Sequence, residues 1–261
     1  MDKRIWVSAL SKNADQIRRI TSSLRDYGFN CQGHIWLDDA PKLAWRGAYD
    51  ELVHEQCRHW VILADDDSLK CPTIRYGLSL MAYAMLRDNP EQMPIITLAE
   101  KQETLELLPP ILRKSQLILT SQNGWEAKFV AATIKVAPFK LPYRINTIGD
   151  AHIGQWFEIG STLETWHGLA FGVAGLDAVI DFQGVGPAGS LPDKSILEYP
   201  MESIKIDVGE TAFTAWAVTN LLDSKHSYYV RVRGLPDQLL LMPGFKPDAD
   251  DDDEAYIVAL T

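Results

Sequence analysis

Cysteine is scarce in this 261-residue chain: three thiols, at 31, 57 and 71, all in the first third. An odd number without paired C-x-x-C spacing argues against a disulfide framework or a cysteine-built zinc site, and reads as reduced thiols in a cytoplasmic protein. Long apolar runs are absent too. No stretch approaches the roughly 18 residues that a membrane span needs. The opening Met-Asp-Lys-Arg-Ile-Trp-Val-Ser passes almost at once into a strand pattern, without the apolar core of a secretory signal. Cations are nearly missing from the second half. Residues 145–261 hold 6 Lys and Arg against 18 Asp and Glu, net −12, whereas residues 1–144 hold 19 against 17, net +2. So acidic a half repels nucleic acid and anionic membrane, and the near-neutral first half offers a polyanion no basic field. The expectation is a protein with neither nucleic-acid nor membrane partners.

Several motifs are missing as well. There is no G-x-S-x-G elbow, and the histidines at 34, 54, 59, 152, 167 and 226 lack metal-ligand spacing, so no metal is expected. Gly184-Val-Gly186-Pro-Ala-Gly189 matches G-x-G-x-x-G in letters, but Pro187 lies inside it and no apolar helix follows, so it reads as a loop between strands. The run from Asp248 to Glu254 is nearly all acidic but lacks the spacing and glycine of a calcium loop. It reads as a solvated loop before a last strand. Cys71, just ahead of Pro72, is either a reactive thiol at a helix start or a buried one.

What is present in the first half is alternation. Apolar strands are read at Arg4–Ala9, Cys31–Leu37, Trp60–Ala64, Pro94–Leu98 and Gln116–Thr120. An amphipathic helix is read at Ala14–Tyr27 and one with a single apolar face at Lys42–Cys57; further helices are read at Pro72–Arg87 and Trp125–Val136, with a short one near Glu103–Leu107. Gly28 ends the first helix, and Pro72 suits a first helical turn. Continuous apolar strands separated by helices imply a parallel sheet covered on both faces. Five strands then favour the flavodoxin order 2-1-3-4-5. After Pro138-Phe-Lys-Leu-Pro142, a stiff candidate linker, the pattern changes to short alternating runs divided by Gly, Pro and Asp, as in Ser203–Val208 and Tyr228–Arg233. The reading is an α/β domain over 1–137, a linker at 138–142 and a β-sandwich over 143–261.

In open α/β sheets ligands bind outside the carboxyl ends of the strands. The chain places Ser8, Leu10 and Ser11 there after the first strand, and Asp38, Asp39 and Trp45 after the second. Asp65, Asp66, Asp67 and Ser68 follow the third, and Glu100 the fourth. Three consecutive carboxylates repel one another, which raises a pKa and suits acid/base work or a ribose-binding edge. The same run also reads as a polar turn in which Asp67 or Ser68 caps the next helix. In the second half Trp156, Trp166, Trp216, Tyr228 and Tyr229 read as core packing or as an aromatic platform for a sugar or peptide.

Three segments in order carry a resemblance: Arg4-Ile-Trp-Val-Ser8; Ile35-Trp-Leu-Asp-Asp39 with Trp45; and Val61-Ile-Leu-Ala64 followed by Cys71-Pro-Thr-Ile-Arg-Tyr-Gly-Leu78. Together residues 3–136 resemble a Toll/interleukin receptor (TIR)-like domain. In the family's enzymes a Glu on the helix after the third strand grips the nicotinamide-side ribose and supports cleavage of the N-glycosidic bond of NAD. Gly77 stands at about that position, and no residue from Thr73 to Ala82 is acidic. Nucleoside deoxyribosyltransferase-like proteins are a more distant resemblance that also needs a helix Glu.

Three readings follow. The first is a cytoplasmic signalling or interaction protein that assembles through the TIR-like half and recognises an unknown protein partner with the β half. The second is an NAD or nucleoside glycohydrolase, with NAD or a nucleotide as ligand, Asp65–Asp67 and Asp38 as acid/base and polar groups, and Trp45 or Tyr76 stacking on a base. The third is a carbohydrate-binding β-sandwich.

Overall fold

The computed structural model describes residues 3–150, 152–245 and 254–261. The chain divides into two compact units, one of residues 1–40 and 44–140, the other of residues 41–43 and 141–261.

In the first unit, strand β1 (Arg4–Ala9) leads to helix α1 (Ala14–Asp26), β2 (Asn30–Ile35), α2 (Ala44–His54) and β3 (His59–Leu63). The one-turn α3 (Asp66–Leu69) and the long α4 (Pro72–Asp88) follow, then the two-residue β4 (Gln92–Met93), β5 (Ile95–Ala99), α5 (Thr104–Leu107), β6 (Gln116–Leu119), α6 (Trp125–Ile134) and the two-residue β7 (Ala137–Pro138). The main sheet is all parallel with order β2-β1-β3-β5-β6, which is the expected doubly wound order once the small β4–β7 pair is set aside.

Local chemistry sets the boundaries. Asn13 caps α1 by accepting a hydrogen bond from Gln16 N at 3.1 Å, and Gly28 ends it at φ +82°, where a side chain would be strained. Pro72 opens α4, where its missing N–H costs nothing. Ile74 and every residue from Tyr76 to Leu86 are buried, so α4 is covered all round rather than on one stripe. On one face of the sheet Ile5, Val7, Val61 and Leu63 pack with Leu24 and Phe129. Phe29 and Phe129 meet edge to face at 5.0 Å. On the other face Ser8 is fully buried and accepts a hydrogen bond from Trp60 Nε1 at 2.9 Å.

The second unit contains β8 (Tyr143–Asp150), β9 (Gly154–Ser161), β10 (Trp166–Ala174), β11 (Val179–Pro187), β12 (Met201–Val208), β13 (Thr211–Leu222), β14 (His226–Arg233), β15 (Gln238–Pro243) and β16 (Tyr256–Ala259). They form two antiparallel sheets, β12-β13-β10-β15-β16 and β11-β14-β9-β8. Phe157 on β9 and Phe171 on β10, from opposite sheets, are fully buried with ring centres 5.8 Å apart. That contact marks the sandwich core. Strands β12 and β14 contain the alternating runs Ser203–Val208 and Tyr228–Arg233.

The glycine-rich segment differs from its reading as a loop. Gly184, Gly186 and Pro187 belong to β11 and pair with Tyr229, Ser227 and His226. A chain segment crosses this strand so closely that a Cβ at Gly186 would sit 2.5 Å from Pro192 Cβ. Ser195 Oγ accepts a hydrogen bond from Val185 N at 2.6 Å. The glycines serve backbone approach, not a phosphate. The acidic run from Asp248 lies outside the described residues except for Glu254.

Candidate functional site

The predicted acids Asp38, Asp65, Asp66 and Asp67 lie beyond the carboxyl ends of β2 and β3, and each faces its own partner. Asp65 has extended backbone and caps α3: its Oδ2 accepts from Ser68 N at 2.9 Å and from Ser68 Oγ at 2.6 Å. Ser68 Oγ is also 3.1 Å from Leu10 O, which ties the end of β1 to the turn after β3. Asp66 Oδ1 accepts from Thr104 Oγ1 at 2.7 Å. Asp67 turns to solvent and pairs with Lys70 at 2.7 Å, and that bond lowers its carboxyl pKa. Mutual repulsion therefore does not raise Asp67 as the run suggested; a cation within reach outweighs it.

Asp38 Oδ2 accepts from Thr73 Oγ1 at 2.9 Å and lies 3.6 Å from Cys71 Sγ, linking the loop after β2 to the first turn of α4. Asp39 is half-buried and its carbonyl accepts from Ala44 N at 3.2 Å, at the start of α2. Glu100 is exposed and accepts from Gln16 Nε2 at 3.3 Å. Ser8 faces Trp60 inside the fold, and Trp45 and Tyr76 are buried at 3% and 0% exposure. Their rings belong to the packing as it stands.

The centre of this region is Gly77. A Cβ built there would lie 3.0 Å from Trp36 Cζ2 and 3.8 Å from Trp45 Cβ. Trp36, 8% exposed, fills the space into which a side chain at 77 would project. Trp36 continues a ring ladder with His34 and Trp6, at centroid separations of 5.8 and 5.7 Å. Trp6 Nε1 donates to His34 Nδ1 at 3.1 Å, and burial pulls the His34 pKa down to about 4, so the imidazole is neutral at pH 7. Trp45 Nε1 is a buried donor without a partner among the described residues. In the sequence Trp36 reads only as part of a strand pattern, and its role as a plug appears only in the fold. The available signal was a glycine in a helix interior, which costs about 1 kcal/mol relative to Ala unless packing demands it.

In the β unit Trp166, Tyr228 and Tyr229 are buried, so they are core. Trp156 instead joins Phe182, 52% exposed, in an edge-to-face pair at 5.5 Å. The Arg231 guanidinium lies 5.5 Å from the Trp156 ring and 5.6 Å from Phe182. Asp181 holds Arg231 Nε at 2.7 Å and Arg233 Nε at 2.9 Å. Elsewhere in the same sheet Glu158, 1% exposed, accepts from Gly189 N at 2.7 Å, Ser227 Oγ at 2.9 Å and Asn146 Nδ2 at 3.0 Å. Three donors on one buried carboxylate make a structural clamp.

Among the described residues no group of three or more His, Cys, Asp and Glu could hold a metal ion, and no helix is long and apolar enough to cross a membrane. The chain matches no known family model and no curated protein.

Proposed function

We propose that this chain is an interaction or signalling protein whose α/β unit is a TIR-like assembly module without NAD-cleaving activity, and whose β-sandwich recognises a partner. The observation that carries this reading is the Gly77–Trp36 contact: the position where the resemblance puts a catalytic Glu has no side chain, and an indole stands 3.0 Å from where its Cβ would be. The strand-end acids add support, since Asp38, Asp65, Asp66 and Asp67 each bind a neighbouring hydroxyl, amide or ammonium.

The test is incubation of concentrated protein with NAD, with chromatography for nicotinamide and light scattering on the same sample. The expected result is no nicotinamide release and concentration-dependent self-association. A strictly monomeric protein that releases nicotinamide, and loses that activity on Asp65→Asn or Asp66→Asn, overturns the proposal in favour of a glycohydrolase. A second reading rests on the Trp156–Phe182–Arg231 cluster, whose exposed ring and guanidinium suit stacking on a sugar or a planar group. Flat titrations of glycans against the intact protein would remove it.

A further inference from the structure

The amino edge of the parallel sheet, opposite the acids described above, carries a groove of about 910 Å3. That volume lies within the range of small-molecule sites. Its floor is apolar: Ile5, Phe29, Leu52, Met85 and Val130. Val53 and Ile134, also on its wall, are 49% and 68% exposed, so large apolar side chains meet water here. Its charge is one-sided. Among the described residues, Lys3, Arg58 and Lys135 line it against a single carboxylate, Asp88. Asp88 is already engaged by the Tyr49 hydroxyl and by Arg87 Nε at 2.7 Å. Lys3 Nζ donates to Tyr27 O at 2.7 Å and lies 5.0 Å over the Phe29 ring, leaving further N–H donors. The described residues offer Arg58 and Lys135 no side-chain ion pair or hydrogen bond. His59 Nε2, also on the wall, is buried without a partner. In a chain of net charge −10, three cations around a cavity with an apolar floor, without a free counter-charge among the described residues, are an uncompensated anion-binding rim.

We propose that this groove binds a small anionic amphiphile, its apolar body on the floor and its single anionic head held by Arg58, Lys135 and Lys3. The site is independent of the assembly reading, because it uses none of the residues at the carboxyl ends of the strands. Its rim supplies charge and its floor supplies apolar contact, and neither alone would discriminate such a ligand from a free anion or a neutral oil.

The experiment is calorimetric titration of the full chain with decanoate and decyl phosphate, against 1-decanol and decyltrimethylammonium, with amide shifts to locate the site. Binding of at least one anion is expected, with shifts at Arg58, His59 and Lys135, at least tenfold weaker binding of decanol, and no binding of the cation. The relative affinity of the two anions identifies the head group. Arg58→Glu combined with Lys135→Glu is expected to weaken binding at least tenfold, and Val130→Trp to abolish it by filling the floor while leaving the charges in place. Circular dichroism and thermal melts of the free variants verify that they fold. No binding of either anion, equal binding of the cation, or folded variants that bind like the parent overturns the proposal.

Discussion

A methyl group at position 77 has two opposed effects. It relieves the helix-interior cost of glycine, worth about 1 kcal/mol, and it presses on Trp36 Cζ2 at 3.0 Å in a packed region. Overpacking of this kind costs roughly 1–3 kcal/mol. Gly77→Ala is therefore expected to destabilise the protein by about 1 kcal/mol in the parent and to stabilise it by about 1 kcal/mol in a Trp36→Ala background, a sign change readable by urea unfolding. If the substitution has the same effect in both backgrounds, the plug reading is wrong. At Glu158 the argument is hydrogen bonding. Glu158→Ala strands the donors of Asn146, Ser227 and Gly189 in the interior and is expected to cost about 3–5 kcal/mol. A loss under 1 kcal/mol would show that water replaces the carboxylate.

Among the elements, β11 depends on its neighbour's backbone more than on its own side chains. Gly186→Val would push Pro192 off the strand, since even a Cβ would lie 2.5 Å from it. The Val185–Ser195 and Gly189–Glu158 bonds would go with it. The expected loss is roughly 2–4 kcal/mol, with earlier proteolytic cleavage between residues 188 and 198. Unchanged cleavage would mean that the segment is held by other contacts. Helix α4 shows the complementary case. Its sequence gave no polar stripe because it is buried all round, and that is a property of its surroundings rather than of its period.

For the whole molecule, acid is the sharpest lever. The His34 pKa in the fold is about 4, below the ordinary 6.5, because burial disfavours the imidazolium. The unfolded chain therefore takes up this proton first. The associated stability is fully present above pH 6.5 and is lost as pH falls toward 4. Burial, with Arg58 beside it, also lowers His59, so it acts in the same direction. The ceiling for His34 is roughly 3 kcal/mol, reduced by partial solvent screening. His34→Gln keeps a neutral acceptor for Trp6 Nε1, and its urea midpoint is expected to fall less between pH 6.5 and 4 than that of the parent. Parallel curves would remove His34 from the account. Asp67 and Asp223 are held below the usual carboxylate range by Lys70 and by the backbone N–H of Lys225, respectively. Their contributions are lost only at still lower pH.

The sequence by itself determined the fold class and strand order of the α/β unit, because continuous apolar strands and capped helices leave few topologies. It also determined the charge asymmetry and most of the β strands, whose alternation survives in β12 and β14. It could not determine which face of a glycine is occupied. The plug at Gly77 and the crossing over Gly186 join residues far apart or on opposite sides of a turn, and no local period records such an approach. Nor could it sort the acids: Asp38, Asp65, Asp66 and Asp67 looked alike as neighbours in sequence, and only the tertiary structure gave each its own donor. The groove at the amino edge was invisible for the same reason, since Lys3, Arg58 and Lys135 come from three separate segments that only the folded sheet brings to one cavity.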